Sequence, residues 1–145
     1  MYDLDKAARV LAALLPQDKP VTGIAAMTTG YSNDTYLVEG PDLILRLPPA
    51  AGAMLDGHDV IAQAEIYQAL GEAAGAPPVP RVSLIGKDAD LLGAPFFVME
   101  RVPGEAVNDI NLQPWFAEAD DAVRAQMCRD WITAIASLAN LKPLA

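Results

Sequence analysis

Three groups of residues carry polar chemistry at places a folded chain could use. Gly30, Ser32 and Asn33 lie in "GYSNDTY", between two apolar runs. Small side chains there would let backbone N–H groups approach an anion such as a phosphate. The same residues suit a tight hairpin, because Ser32, Asn33 and Asp34 can bond their own backbone and tolerate turn geometry. Arg46, in "LILRLPP", sets a guanidinium inside an apolar run. It can grip an oxyanion through two parallel hydrogen bonds, or simply face solvent. Alternation puts Arg46 with Ile44 on one side of a strand and Leu43, Leu45 and Leu47 on the other, so Arg46 need not enter the core. Glu65, in "AQAEIYQAL", is a carboxylate at the edge of an apolar helical stripe, where it is either solvated or turned toward a cation.

Other chemistries find little support. His58 is the only histidine, and it stands beside Asp59 at the start of a helical pattern. The chain has no G-x-S-x-G, H-E-x-x-H or G-x-x-x-x-G-K-[ST] motif. Cys128 is alone, which excludes an internal disulfide and a cysteine-based zinc site. The net charge of −9 and the lack of a basic run argue against nucleic acid and anionic membrane as partners. The N-terminus carries Asp3 and Asp5 where a secretory signal wants basic residues, and no run approaches a membrane span. A cytoplasmic protein is expected.

Positioning these residues requires a particular order of elements. Leu4, Ala8, Leu11 and Leu15 repeat at helical spacing until Pro16. "VTGIAAMT", "TYLVEG" and "DLILRL" read as three successive strands, the last two joined at the Gly40-Pro41 turn. A helix follows from Asp59 to about Gly75, with Val60, Ala64 and Tyr67 on one stripe, and "APPVP" closes it. "RVSLIG" and "APFFVMERV" add two strands. From Leu112 onward the chain is helical, with Val123, Met127, Trp131, Ile135 and Leu138 on one face. The two tryptophans and the methionines read as packing residues. The expected class is α+β: a five-stranded antiparallel sheet with a helix inserted between strands three and four, preceded by an N-terminal helix and followed by C-terminal helices.

The stretches "GYSNDTYLVEGPDLILRLPP", "GHDVIAQAEIYQALGE", "PPVPRV" and "LLGAPFFVMERVPGEAV" resemble the amino-terminal half of the aminoglycoside phosphotransferase family. They are most similar to the branch found beside or fused to acyl-CoA dehydrogenases, where "LR-x-PP", "HD", "PVP" and "G-x-PF-x-VM" recur in this order. The likeness covers about residues 22 to 107, and "IASLANLKPL" is similar to the helix preceding that family's catalytic loop. It implies the small lobe of a kinase-like fold over residues 1–107, with residues 108–145 starting the helical lobe.

The resemblance also implies roles. Gly30, Ser32 and Asn33 would cover phosphate, with one glycine where protein kinases use three. Arg46 would replace the strand-three lysine that steadies the α- and β-phosphates of ATP, and Glu65 would pair with it. Met99 would border the adenine pocket, with the Glu100 carbonyl and the Val102 amide meeting the adenine edge. Phosphoryl transfer further needs a positioning aspartate and Mg²⁺ ligands. The family takes these from an "H-G-D-x-x-x-x-N" loop and a later aspartate, neither of which occurs in these residues, so no catalytic residue or metal ligand is assigned here. The expected function is the amino-terminal part of an ATP-dependent kinase acting on a small-molecule hydroxyl, such as a hydroxyacyl-CoA, a hydroxy acid or an aminoglycoside-like compound. The 145-residue chain alone would be inactive. The alternative is a non-catalytic nucleotide-binding or interaction module. The terminal helix, apolar on more than one face, implies a homodimer.

Overall fold

The structure, a computed structural model, describes residues 2–27, 33–50, 59–105 and 112–141. Two compact units divide the chain. The first comprises residues 1–71 and 79–101, and the second residues 72–78 and 102–145.

The first unit opens with α1 (Leu4–Leu14). Asp3 caps it by accepting from the Lys6 N–H at 2.9 Å, and the chain turns extended at Leu15, just ahead of Pro16. Five strands follow: β1 (Gly23–Ala26), β2 (Asp34–Glu39), β3 (Leu43–Leu47), β4 (Val82–Gly86) and β5 (Phe96–Glu100). All pair antiparallel, in the spatial order β1-β2-β3-β5-β4. Helix α2 (Val60–Glu72) lies between β3 and β4 in sequence, so the expected α+β arrangement is the observed one. A short helix the sequence pattern did not reveal, α3 (Ala89–Leu92), joins β4 to β5. Asp88 caps it, and Gly93 ends it in the left-handed region at φ 86°.

Period-two alternation sorts the strand residues to two faces. On one face Tyr36, Val38, Leu45, Leu47, Phe96 and Val98 form the main core with Ala7 and Leu11 of α1, the cap residue Leu15, and Leu92 of α3. Leu11 is fully buried, and burying such a side chain contributes about 1.5–3 kcal/mol. On the other face Phe97 packs under Val60 and Ala64 of α2, with Ile61, Tyr67, Val82, Ile85 and Met99 around them. The Tyr67 and Phe97 rings meet edge to face, centroids 6.2 Å apart. The expected stripe of α2 is therefore the one it buries.

The turn between β2 and β3 depends on Gly40. Its φ of 97° suits glycine, and a Cβ there would run into the Pro20 carbonyl oxygen. Asp42 also takes a positive φ, 57°, and its Oδ1 accepts from Arg101 Nη1 at 2.8 Å.

The second unit contains α4 (Pro114–Ala117) and α5 (Asp121–Ala139). Asp120 caps α5 by accepting from the Val123 N–H at 2.9 Å. Trp115 meets the Phe116 ring edge to face and donates its Nε1–H to Glu105 Oε2 at 2.9 Å. No residue of α5 is buried. Trp131 is 69% exposed and Ile132 62%, with Val123, Ile135 and Leu138 also exposed. The two tryptophans thus depart from the expected packing role: both are exposed, and Trp115 uses its polar edge. No helix among the described residues is long and apolar enough to cross a membrane.

Candidate functional site

The sheet face covered by α2 collects several of the polar residues singled out above. Arg46, in the middle of β3, pairs with Thr35 of β2 on one side and Phe97 of β5 on the other. Ile44, two residues earlier on the same face, pairs with Met99. Arg46 and Met99 therefore share a face, opposite the main core. Arg46 is half-buried, and its Nε–H is buried without a hydrogen-bond partner among the described residues. A buried donor left unmatched costs about 1–3 kcal/mol, so the position favours any group that brings an acceptor.

Asn33 precedes β2, at the base of the stretch that holds Gly30 and Ser32. Gly30 and Ser32 lie outside the described residues, as does His58. Asn33 is 3% exposed, and its Nδ2 donates to Gln63 Oε1 of α2 at 3.1 Å. Its Oδ1 has no partner among the described residues. Thr35 Oγ1 donates to the Asn33 carbonyl at 3.3 Å, fastening the same corner. The Asn33 side chain thus ties its loop to α2. Gln63 was not singled out in the sequence, because a helix glutamine one position before the buried Ala64 carries no signal of its partner.

Glu65 has a different partner from the expected one. Its Oε1 accepts from Lys87 Nζ at 2.8 Å, and it makes no ion pair with Arg46. The reason lies in the helix register: Val60 and Ala64 fill the buried stripe, and the next residue turns away from the sheet toward the connection after β4. Asp59 starts this helix by accepting from the N–H groups of Ile61 and Ala62 at 2.9 and 3.1 Å.

At the end of β5, Glu100 is bound twice by Arg81. The Arg81 Nε and backbone N–H donate to its two carboxylate oxygens at 3.0 and 3.2 Å, and its own N–H donates to the Arg81 carbonyl at 2.9 Å. The side-chain hydrogen bond, then the backbone one, holds the Glu100 carboxyl below its ordinary pKa. Val102 follows as an exposed residue of the second unit. On the opposite sheet face, burial followed by the charge of Asp34 raises the pKa values of Tyr2 and Tyr36. Asp34 accepts from the Tyr36 hydroxyl and from the Ala50 N–H, and the Tyr2 hydroxyl donates to the Pro48 carbonyl at 2.9 Å. These bonds hold the segment leaving β3. Among the described residues no three His, Cys, Asp or Glu side chains are grouped so as to hold a metal ion.

Residues 23–145 match the model of the phosphotransferase enzyme family. Acyl-CoA dehydrogenase family member 10 of Mus musculus is 34% identical over 85 residues, covering 57% of this chain and 8% of that protein. Acyl-CoA dehydrogenase family member 11 of Gallus gallus is 27% identical over 117 residues, 77% of this chain and 15% of that protein. The chain thus spans a small fraction of the curated relatives it matches. Among solved structures, the GDP complex of a variant aminoglycoside 2'-phosphotransferase-IIIa superposes with a TM-score of 0.65 at 19% identity, covering 94% of this chain and 41% of that one. The GDP and kanamycin complex of APH(2")-IIIa gives 0.59 at 19% identity, covering 90% and 44%. At such identity these two likenesses establish the fold, which is the kinase-like small lobe.

Proposed function

Since the chain belongs to the phosphotransferase enzyme family, we propose that its first unit is the nucleotide-holding lobe of an ATP-dependent small-molecule kinase. The observation that carries this reading is Arg46: a guanidinium on the sheet face shared with Met99, its buried Nε–H unmatched among the described residues. That donor suits a phosphate oxygen. Guanidinium also offers parallel donors for two oxygens of the same group, which an ammonium cannot.

ATP would supply the phosphoryl group. Arg46 would orient its phosphates beneath the stretch Gly30 to Asn33, whose base Asn33 fixes against α2. Met99 would lie against the base, and the Glu100 carbonyl and Val102 amide would meet its edge. The family resemblance assigns the Glu100 carbonyl there, while the Glu100 side chain and N–H are bound to Arg81. Mg²⁺ would be held by residues other than those named here. A hydroxyacyl thioester or hydroxy acid is the preferred acceptor over an aminoglycoside, a preference supported by the likeness to acyl-CoA dehydrogenase family members. A cytoplasmic setting fits this chemistry.

Calorimetric titration of the 145-residue chain with Mg·ATP tests the reading. Saturable binding that Arg46→Met weakens at least about tenfold is expected, as for loss of a charge-assisted contact. Binding unaffected by Arg46→Met would remove this residue from the site. With no H-G-D-x-x-x-x-N loop among its residues, the chain by itself should transfer no phosphoryl group to any acceptor.

A further inference from the structure

Glu65 of helix α2 turns away from the sheet, and two cations of the same unit bear on what it does. Lys87 holds it at 2.8 Å, while Arg46 forms no ion pair among the described residues. Lys87 is well placed to be a fixed partner. It follows Gly86, where β4 pairs with Phe96 and where a Cβ would strike the buried Phe96 ring, and it precedes Asp88, the cap of α3. Its backbone is therefore set from both sides, and its side chain has a defined origin from which to reach α2.

The rung that contains Arg46 offers no substitute. Thr35 and Phe97 flank it, and neither carries a charge. Pairing Arg46 with Glu65 would neutralise the guanidinium and desolvate both groups, a cost that Coulomb attraction in a partly buried site often fails to recover. The Glu65–Lys87 pair avoids that cost because both side chains are more than half exposed.

We propose that the work done by one strand cation in protein kinases is divided in this chain between two: Lys87 is the positioning residue that anchors α2 through Glu65, and Arg46, with no carboxylate partner among the described residues, is a dedicated receptor for an anionic ligand. The second half rests on the nucleotide reading above; the first does not.

Double-mutant cycles in urea on the 145-residue chain decide the first half without any nucleotide. Glu65→Gln and Lys87→Met should be coupled by a factor of about two to five in the unfolding equilibrium constant, the range for exposed ion pairs. The factors for Glu65→Gln and Arg46→Met should simply multiply. The swapped variant Glu65→Lys with Lys87→Glu should recover most of what either single reversal loses. Coupling of Glu65 to Arg46, or none to Lys87, overturns the proposal. Titration with Mg·ADP then addresses the second half. Glu65→Gln and Lys87→Met should weaken binding by the same small factor, the swapped pair should regain it, and Arg46→Met should weaken it far more. Equal losses for Glu65→Gln and Arg46→Met with none for Lys87→Met would restore the single-cation scheme. If the unmodified chain binds no nucleotide, the functional reading and the receptor role of Arg46 both fall, while the urea cycles still judge Lys87.

Discussion

Asn33 and Gln63 are joined side chain to side chain across 3.1 Å, linking the residue that ends one loop to the inner part of α2. Asn33 is almost completely buried, so water cannot replace the bond if it is lost. Asn33→Ala should destabilise the chain by about 1–2 kcal/mol, the cost of one buried hydrogen bond plus a small void. Gln63→Met should cost at least as much, because it leaves the Asn33 amide buried and unpaired. Urea denaturation of both variants and their combination checks this; additive losses would mean that the two residues act separately.

Gly40 is the turn position with least tolerance. Gly40→Ala combines a strained positive φ with a collision against the Pro20 carbonyl, so the expected loss is about 2–3 kcal/mol. Gly75, also at positive φ but in open space, should lose about 1 kcal/mol on the same change. Equal losses at the two sites would show that the Pro20 contact contributes nothing.

Glu100 gives the chain a specific acid sensitivity. Its folded pKa lies below the ordinary glutamate value, chiefly through the Arg81 side chain. In the acid range the unfolded chain therefore binds the proton first. The stabilisation is complete above the ordinary glutamate pKa and is lost as the pH falls through the lowered folded value. Carboxyl NMR titration should find Glu100 titrating below the ordinary glutamate value. Arg81→Met should raise it toward the ordinary value, with the Arg81 backbone N–H still holding it somewhat below, and should flatten most of this part of the stability profile; an unmoved Glu100 in that variant would assign the shift elsewhere.

The exposed apolar residues of α5 lead to a prediction about assembly. Trp131, Ile132, Ile135 and Leu138 are all exposed within three turns of one helix. Clustered apolar surface of this kind marks interaction sites. The 145-residue chain should form a two-fold dimer through α5, visible as a rising mass in light scattering across a dilution series, and Trp131→Glu should shift it toward monomer. A monomer at every concentration would show that this surface needs a different partner.

The strands and α2 were legible because their burial is periodic. Val60, Ala64 and Tyr67 announce a helix stripe, and the alternation from Leu43 to Leu47 correctly separates Arg46 from the core. The short α3 was not, since its four residues make little more than one turn and rest on the Asp88 cap and Gly93, features that also read as loop. In the candidate site, the place of Arg46 on the face away from the main core could be read from its intrusion into an apolar run. The partners of Asn33 and Glu65 could not, because Gln63 and Lys87 reach them through tertiary packing and neither breaks a local pattern. Trp131 misled for a related reason: an apolar side chain on a helix looks the same in sequence whether or not anything covers it.

The spatial order β1-β2-β3-β5-β4 also bears on how the chain reaches its fold. β1, β2 and β3 are sequential neighbours in the sheet, whereas β5 must join β3 across everything from Leu47 to Phe96, as in the Ile44–Met99 rung. Closing that long segment costs entropy before any contact is gained, so the local meander is favoured to organise first and the β3–β5 rung to lock late. In a chevron analysis, then, a mild destabilisation beside the Gly40 turn should mainly slow folding, while Met99→Ala should mainly hasten unfolding. The strand that carries Arg46 would thus be shaped early, and the face it shares with Met99 would come into being only at the last step.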